Sequence, residues 1–261
     1  MKTSRQALQT SDKFCLRPRI PGAFSKRRNM KEKALEYLKK DYLLNIDIVE
    51  CIRRDLCDIL YAESDGVLIK AKNSPAYMLS CDSTYAALKI TADREIYLLV
   101  LHQMDQKDAV CKALGLHAGD ECWQSVYIKK EPIQEDGTDI HCLDRSCAQK
   151  VFEVYGHHEL EHIESMIDRK MLWGAFADGE LAGFIGWHEE GSEGLLEVLP
   201  EYRRRGLALA LEKRIVNIDL ERGHTPFGQI FLWNNASRHL QEKLGMDFAD
   251  GHICWLWKEK E

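Results

Sequence analysis

The sequence predicts a mixed α/β fold in which two halves repeat one order of elements. Three observations support this prediction. Helix and strand patterns alternate along most of the 261 residues. A strand pattern over 194–199, a turn rich in Arg and Gly, and a helix pattern over 209–222 follow one another in the second half. Short motifs such as Cys122-Trp123 and Cys254-Trp255 recur between the halves at offsets of 130 to 132 residues.

Residues 30–130 are expected to form the first domain. The apolar positions Leu35, Leu38 and Tyr42 mark a helical stripe near its beginning. The elements expected in order are two helices over 31–62, strands over 66–70 and 76–80, a helix over 82–91, a strand over 95–101, a helix over 104–114 and a strand over 123–129. The acidic, turn-rich segment 131–138 is the expected linker.

Residues 139–261 are expected to form the second domain. Asp178-Gly179 is a hairpin signal between two strand patterns, and Gly223 and Gly245 stand where helices are expected to end. The elements expected in order are a strand over 139–143, helices over 145–155 and 158–170, strands over 172–177, 181–187 and 194–199, a helix over 209–222, a strand over 229–233, a helix over 236–244 and a strand over 252–257.

The composition is that of a globular chain. Apolar residues make up 45% of it and charged residues 30%. No apolar run approaches the roughly 18 residues that a membrane helix needs, so we expect no membrane partner. The nine cysteines are scattered without CxxC pairs, which suits a reducing compartment, and we expect a cytoplasmic protein.

The charge of the chain is unevenly distributed. Residues 1–30 contain eight Lys or Arg and one acid, a balance of +7, so the remainder carries −13 (−6 − 7). The acidic body argues against nucleic acid as the main partner. Residues 1–29 lack the apolar core of a secretory signal and could be a transit peptide or a basic arm. We expect them to be a disordered, dispensable head.

The turn before the helix pattern of 209–222 has the chemistry of an anion site. The first amides of a helix have no partner within it, and the helix dipole favours negative charge there. Gly206 lets a ligand approach the backbone closely, and the small Ala208 keeps that approach open. The expected ligand is a phosphate or pyrophosphate.

This turn resembles the acyl-CoA loop of the GNAT N-acyltransferase superfamily, [RQ]-x-x-G-x-[GA], since it contains Arg203, Gly206 and Ala208 at that spacing. The longer string LPEYRxxGL, from Leu199 to Leu207, is similar to glycine N-acyltransferases of that superfamily. The resemblance implies two tandem GNAT-like domains, of which the second is catalytic. It also implies N-acyl transfer, without a metal, from acetyl-CoA or another acyl-CoA to a small amine or amino acid in a ternary complex, by a monomer or homodimer.

The same resemblance implies the residues that bind the cofactor. The backbone of Val198 and Leu199 would pair with the pantetheine arm like an added strand. The turn would hold the phosphates through its amides and its arginines. The turn residues concerned are Arg203, Arg204, Arg205, Gly206, Leu207 and Ala208.

A second family landmark, N-x-x-[AS]-x-x-L-Y-x-K-x-G-F, matches residues 234–246 in part. Asn234 would contact the pantetheine or phosphate arm, and its alternative role is a helix N-cap. Gln241 stands where the family has a Tyr that protonates the leaving thiolate. Because Gln cannot donate that proton, this step is in doubt.

Two acids are candidates for the general base. Glu197 and Glu193 share the parity of Leu195 and Leu199, so all four are expected on one face of the strand. Burial beside apolar residues would raise the pKa of such an acid toward the range of a base. Glu197 is the first candidate and Glu193 the second. Their alternatives are a structural ion pair and a loop acid.

The first half lacks the anion turn. Residues 81–85 contain neither Gly nor Arg, and Asp82 or Ser83 is expected to cap the following helix itself. We therefore expect this half to be a degenerate GNAT-like domain that does not bind CoA and that walls off part of the substrate cleft.

Two other functions compete with the acyltransferase. A CoA-binding module without turnover is suggested by the missing Tyr. A zinc peptidase is suggested by His158, Glu159 and His162, which satisfy the H-E-x-x-H pattern. The acyltransferase elements account for more of the chain, so no metal is expected.

Overall fold

The computed structural model describes residues 21–156 and 159–258 of the chain, and the side chains from Asn29 onward. The helices in this part are α1 (Pro21–Leu38), α2 (Ile46–Arg53), α3 (Thr84–Thr91), α4 (Lys107–Leu114), α5 (Ala148–Tyr155), α6 (Leu160–Asp168), α7 (Leu207–Glu221) and α8 (Asn235–Leu244). None of these helices combines the length and apolar character that would be needed to cross a bilayer.

The strands are numbered in chain order. They are β1 (Cys57–Glu63), β2 (Gly66–Ala71), β3 (Ala76–Cys81), β4 (Leu98–Leu101), β5 (His117–Val126), β6 (Ile140–Cys142), β7 (Leu172–Ala177), β8 (Glu180–Trp187), β9 (Glu193–Val198), β10 (Phe227–Phe231) and β11 (Asp247–Trp257). The expected mixed α/β fold is confirmed, and most elements lie within a few residues of their expected bounds.

Two expectations at the beginning of the chain differ from the structure. Helix α1 begins at Pro21, inside the segment expected to be a disordered head, while residues 1–20 lie outside the described part. The second helix expected within 31–62 ends at Arg53, and β1 follows it. Because Leu56 and Ile59 continue the helical spacing of the apolar residues before them, the sequence pattern did not reveal strand β1. The helix ends where Asp55 adopts a left-handed conformation, with φ at 57°.

All eleven strands belong to one sheet, in the order β1-β2-β3-β4-β11-β5-β10-β9-β8-β7-β6. The neighbours β3 and β4 are parallel, as are β9 and β10, and the other pairs are antiparallel. Strand β5 lies between β11 and β10, and β11 lies between β4 and β5. Each half therefore contributes its last strand to the other half, and the sheet is continuous across the expected linker.

The pairing pattern gives the internal repeat a structural counterpart. In the first half, strands β1 to β4 lie side by side and end in the parallel pair β3–β4, next to which lies the exchanged strand β11. In the second half, strands β7 to β10 lie side by side and end in the parallel pair β9–β10, next to which lies the exchanged strand β5. The recurring pairs Cys122-Trp123 and Cys254-Trp255 fall on β5 and β11, the two exchanged strands. This symmetry supports the tandem interpretation, which remains a hypothesis.

In the first half, the turn that corresponds to the anion turn caps helix α3 with its own side chain, as expected. The Ser83 side chain accepts a hydrogen bond of 3.2 Å from the amide of Ala86 at the start of α3. Asp82 forms an ion pair of 2.9 Å with Lys40. A side-chain oxygen and a carboxylate thus occupy the place where a phosphate would have to bind.

Helices cover both faces of the second half of the sheet. Phe184 on β8 packs with α5 and α6, whereas its neighbour Ile185 packs with α7. Successive residues of a strand point to opposite faces, so these two clusters lie on opposite sides of the sheet.

A buried ion network joins α2 to the segment before β9. The Arg54 side chain, which is 6% exposed, donates to Glu50 at 3.0 Å and to Asp219 of α7 at 3.3 Å. Its guanidinium also donates to the carbonyls of Gly191 at 3.0 Å and Thr225 at 2.9 Å. Because a buried charge is costly without partners, these contacts fix the first half against the loop that leads into β9.

Candidate functional site

The parallel strands β9 and β10 separate almost as soon as they meet. Their only Cα partners in the described chain are Glu193 and Gly228. A Cβ at Gly228 would lie 3.4 Å from the carbonyl oxygen of Glu193, which is an ordinary van der Waals distance, so the strands are in normal contact at this pair. Beyond this pair the strands diverge and leave a cleft of about 620 Å³, which is lined by residues of β9, β10, α5, α7 and α8.

A β-bulge interrupts β9 at the cleft. Phe184 of β8 pairs with Glu197 and Gly186 pairs with Gly194, so three residue steps on β9 oppose two on β8. Leu195 takes a left-handed conformation with φ at 55°. Its side chain packs with the α5–α6 cluster, and Leu196 packs with the α7 cluster. The bulge therefore shifts the alternation of side chains along the strand.

Glu193 and Glu197 lie on opposite faces of the sheet, and the expectation that they share one face is wrong. Glu193 is paired with Trp187 on the α7 side, and Glu197 is paired with Phe184 on the α5 side. The pKa of Tyr155, at the end of α5, is raised mainly by burial and secondly by the negative charge of Glu197, as expected for an acid on the α5 side. The two acids differ in face because the bulge adds one residue between them. Both acids still line the cleft.

Glu193 and Glu212 form a buried acid pair at the cleft. Glu193 is 6% exposed and Glu212, on α7, is 4% exposed. Neither carboxyl oxygen of Glu193 has a hydrogen-bond partner among the described residues, and the same is true of Oε2 of Glu212. Burial raises the pKa of Glu212 to about 7. Burial, with the charges of Asp219 and Glu212, raises the pKa of Glu193 well above its ordinary value, against a lowering by Arg54.

Gln241 connects this acid pair to the exchanged strand β5. Its side chain is buried and donates through Nε2 to Oε1 of Glu212 at 3.0 Å. Ser125 of β5 donates to Oε1 of Gln241 at 3.4 Å. Gln241 therefore orients Glu212 from the position at which the family has a proton-donating Tyr.

Sequence reasoning missed Glu212, although its spacing contained a signal. Ile215 and Val216, three and four residues further along α7, are both buried. A helical residue so placed shares their face, so an acid at this position is expected to be buried. Tyr155 and His188, which also line the cleft, were missed because α5 and the end of β8 reach it only through tertiary packing.

A second, basic pocket of about 300 Å³ lies at the N-terminus of α7. Gly206 adopts φ at 84° directly before the helix, and no side chain in the described chain caps it. A Cβ at Gly206 would have no atom within 4 Å. Three cationic side chains line the pocket: Arg203 and Arg204 of the turn, and Lys243 of α8. Leu207 and Ala208, the first two residues of α7, also line it.

The three arginines of the turn have different environments. Arg203 donates through Nε to the carbonyl of Val198 at 2.9 Å and lines the pocket. Arg205 donates to the carbonyl of Glu201 at 3.0 Å and stacks over Tyr202, away from the pocket. Arg204 lines the pocket from a left-handed backbone conformation with φ at 60°. Two of the three arginines therefore face the space where an anion would bind.

The remaining predicted residues lie close to these two pockets. Leu199 is buried, and its amide donates to the carbonyl of Ala182 at 2.9 Å. Asn234 lines the cleft and also caps α8, since its side chain accepts from the amide of Ser237 at 3.1 Å. The structure thus places Asn234 in the cap position that was its alternative role.

The proposed zinc motif is only partly described. His158 lies outside the described residues. Glu159 precedes α6 with extended dihedrals of −70° and 153°, so it is not on the helix that contains His162. The described part of the chain contains no group of three His, Cys, Asp or Glu side chains that could hold a metal ion.

Residues 138–246 match the family model described as acetyltransferase (GNAT) family. This part of the chain is a GNAT acetyltransferase domain. The match runs from β6 to α8. It includes strand β9, which borders both pockets, and the N-terminus of α7. The similarity to the glycine N-acyltransferase branch remains a prediction.

Solved structures show the same fold for most of the chain. A Drosophila protein is 17% identical, with a TM-score of 0.63 over 90% of this chain and 96% of that one. A GCN5-related N-acetyltransferase from Kribbella flavida is 10% identical, with a TM-score of 0.54 over 84% and 96%. One from Sphaerobacter thermophilus is 17% identical, with a TM-score of 0.52 over 83% and 89%. No curated protein matches the sequence.

We predict that Glu212→Gln stabilises the protein at alkaline pH. A carboxyl whose pKa is raised from 4.5 to about 7 on folding favours the folded state only while it is protonated. Its contribution is complete below pH 4.5 and is lost as the pH rises through about 7, by up to about 3 kcal/mol. Urea unfolding at pH 5 and pH 8.5 should show a larger gain for the variant at pH 8.5. The exposed Glu153→Gln is the matched control, and an equal effect at both pH values would contradict the account.

Proposed function

We propose that the chain is an acyl-CoA-dependent N-acyltransferase that transfers an acetyl or other acyl group directly to a small amine or amino acid in a ternary complex. The observation that carries this proposal is the arrangement of two oppositely charged pockets along β9. Val198 borders the basic pocket, while Leu196 and Glu197 border the acidic cleft. A cofactor with a phosphate end and a reactive thioester end fits this arrangement.

The phosphates of the cofactor would bind at the start of α7. The uncapped amides at Leu207 and Ala208 supply hydrogen-bond donors, and the helix dipole adds partial positive charge. Arg203, Arg204 and Lys243 add full charges around the same space. Gly206 keeps the approach to these amides free of a side chain.

The pantetheine arm would follow β9 from the basic pocket into the cleft. Where β9 has separated from β10, its edge can pair with an extended ligand as with an added strand. The carbonyl of Val198 already accepts from Arg203, so Arg203 would either share this oxygen or turn toward the phosphates. Asn234 lines the cleft and is the proposed contact on the α8 side.

The reaction needs a base, and Glu197 is the proposed one. Its carboxylate would take a proton from the ammonium of the acceptor, and the freed amine would attack the carbonyl carbon of the thioester. The C–S bond then breaks and CoA leaves as a thiolate, and the second proton that the nitrogen loses to become an amide passes to that thiolate. A thiolate is weakly basic, so the reaction does not require a dedicated acid at Gln241. Glu193 is the second candidate for the base.

A CoA-binding module without turnover is the competing proposal, because Gln241 is engaged with Glu212 instead of being a proton donor. Both proposals require CoA to bind at α7. They differ in whether the thioester is consumed, which release of free thiol measures directly.

We predict that Ala208→Glu weakens CoA binding by at least about tenfold, since it places a carboxylate among the phosphate-binding amides. An acid in the first turn of a helix does not weaken the helix, so folding should persist. Isothermal titration calorimetry with CoA measures the change. Tyr85→Glu introduces the same charge at the second position of α3, as Ala208 is the second residue of α7, and should leave CoA affinity unchanged. Equal affinities for both variants would contradict the proposed phosphate site.

We predict that Glu197→Gln lowers kcat by about 100-fold or more while CoA affinity is unchanged, because general-base catalysis typically contributes that much. Thiol release measures turnover, and calorimetry measures CoA binding. Glu193→Gln, assayed in parallel, identifies the base. Near-normal turnover of the Glu197 variant together with a large loss in the Glu193 variant would transfer the role to Glu193.

A further inference from the structure

The charge of the cleft restricts the acceptor. Four carboxyl side chains line it, and no Lys or Arg does so among the described residues. They are those of Glu190, Glu193, Glu197 and Glu212. An amino-acid acceptor would bring its own carboxylate into a space that is surrounded by these four carboxyl groups, which disfavour a further negative charge.

Two of the groups near the cleft that could bind a carboxylate, Arg54 and the N-terminus of α8, are already engaged. Arg54 lies close enough to Glu193 to lower its pKa, but its guanidinium is engaged by Glu50, Asp219 and two carbonyls. The N-terminus of α8 borders the cleft, but the Asn234 side chain accepts from the amide of Ser237. An acceptor carboxylate would therefore lack a free Arg partner among the described residues, and the Ser237 amide at the start of α8 is already taken.

The unpaired carboxyl oxygens indicate a positively charged ligand. Glu193 and Glu212 are both more than nine-tenths buried and line the cleft. Three of their four oxygens have no hydrogen-bond partner in the described chain. Buried polar atoms without partners are rare in proteins, and each is costly unless a ligand satisfies it. An ammonium group, which has three donors and a positive charge, matches these acceptors in number and sign.

The mouth of the cleft offers an apolar surface for the rest of the acceptor. Phe231 and Trp233 stack with their ring centroids 5.4 Å apart and their planes at 11°. Both line the cleft and remain exposed, Trp233 to 65%. Trp233 is held in place by a hydrogen bond of 3.2 Å from Nε1 to Asp120. A flat or aliphatic body could pack on this pair while its ammonium reaches the acids.

We infer that the acceptor is a cationic amine with an apolar body and without a carboxylate group, and that Glu193 and Glu212 bind its ammonium as it enters the cleft, before Glu197, which lines the same cleft, takes the proton. This inference rests on the proposed acyltransferase function and narrows its acceptor class. It excludes the amino-acid acceptors that the resemblance to glycine N-acyltransferases implied.

Matched acceptors that differ only in the α-carboxylate test the inference. The pairs are phenethylamine with phenylalanine and tryptamine with tryptophan. With acetyl-CoA, kcat/KM from thiol release should favour the amine of each pair by at least about tenfold. Calorimetry on the protein without acyl-CoA should show the same order of affinities. The inference is overturned if the amino acid of either pair performs as well as its amine, or if neither amine binds.

The calorimetric measurement separates this inference from the proposed function. If acetyl-CoA fails to bind while the amines still bind preferentially, the acyltransferase proposal fails and the cation site stands. If acetyl-CoA binds while the amino acids are preferred, the cation site fails and the acyltransferase stands.

Isosteric variants test the assigned residues. Glu212→Gln and Glu193→Gln keep the shape of the side chain but cannot ionise against a bound ammonium, so each should narrow the preference for phenethylamine over phenylalanine by about tenfold. Glu153→Gln, on the exposed surface of α5, should leave the preference unchanged. Calorimetry with CoA confirms that each variant is folded. An unchanged preference in both cleft variants would remove these two acids from the site.

Discussion

The separation of β9 from β10 is the constraint on which the site depends. Parallel strands that paired along their whole length would satisfy each other's backbone groups and leave no space between them. Here the pairing is limited to Glu193 and Gly228, and a cleft opens beyond it. Both halves of the chain maintain this geometry. Strand β5 of the first half pairs with β10 on its other edge, and Arg54 holds the loop that leads into β9.

Charge is divided along β9 in the way that the proposed reaction requires. The basic pocket at α7 suits a phosphate, and the acidic cleft suits an amine. The acid pair is maintained at a cost, because burial raises the pKa of both Glu193 and Glu212 and so disfavours their ionised forms. Gln241 supplies only one hydrogen bond to this pair. Strained or unsatisfied groups of this kind are typical of sites where function and stability conflict.

The sequence predicted features that depend on local chemistry. The hairpin at Asp178-Gly179 and the uncapped start of α7 at Gly206 follow from neighbouring residues, and both are present. It did not predict the exchange of β5 and β11, because strand patterns do not specify their partners. It also missed the bulge at Leu195, since a non-glycine residue with positive φ leaves no mark in an apolar strand pattern. Because of that one extra residue, the two candidate bases, Glu193 and Glu197, lie on opposite faces of the sheet.

A crystal structure of the protein with CoA bound would test the central claim most directly. We expect the diphosphate to lie against the amides of Leu207 and Ala208. We also expect the pantetheine arm to run along the open edge of β9, with its sulfur in the cleft near Glu197. A cofactor bound elsewhere on the chain, or strands β9 and β10 closed together beyond Gly228 in the complex, would contradict the account.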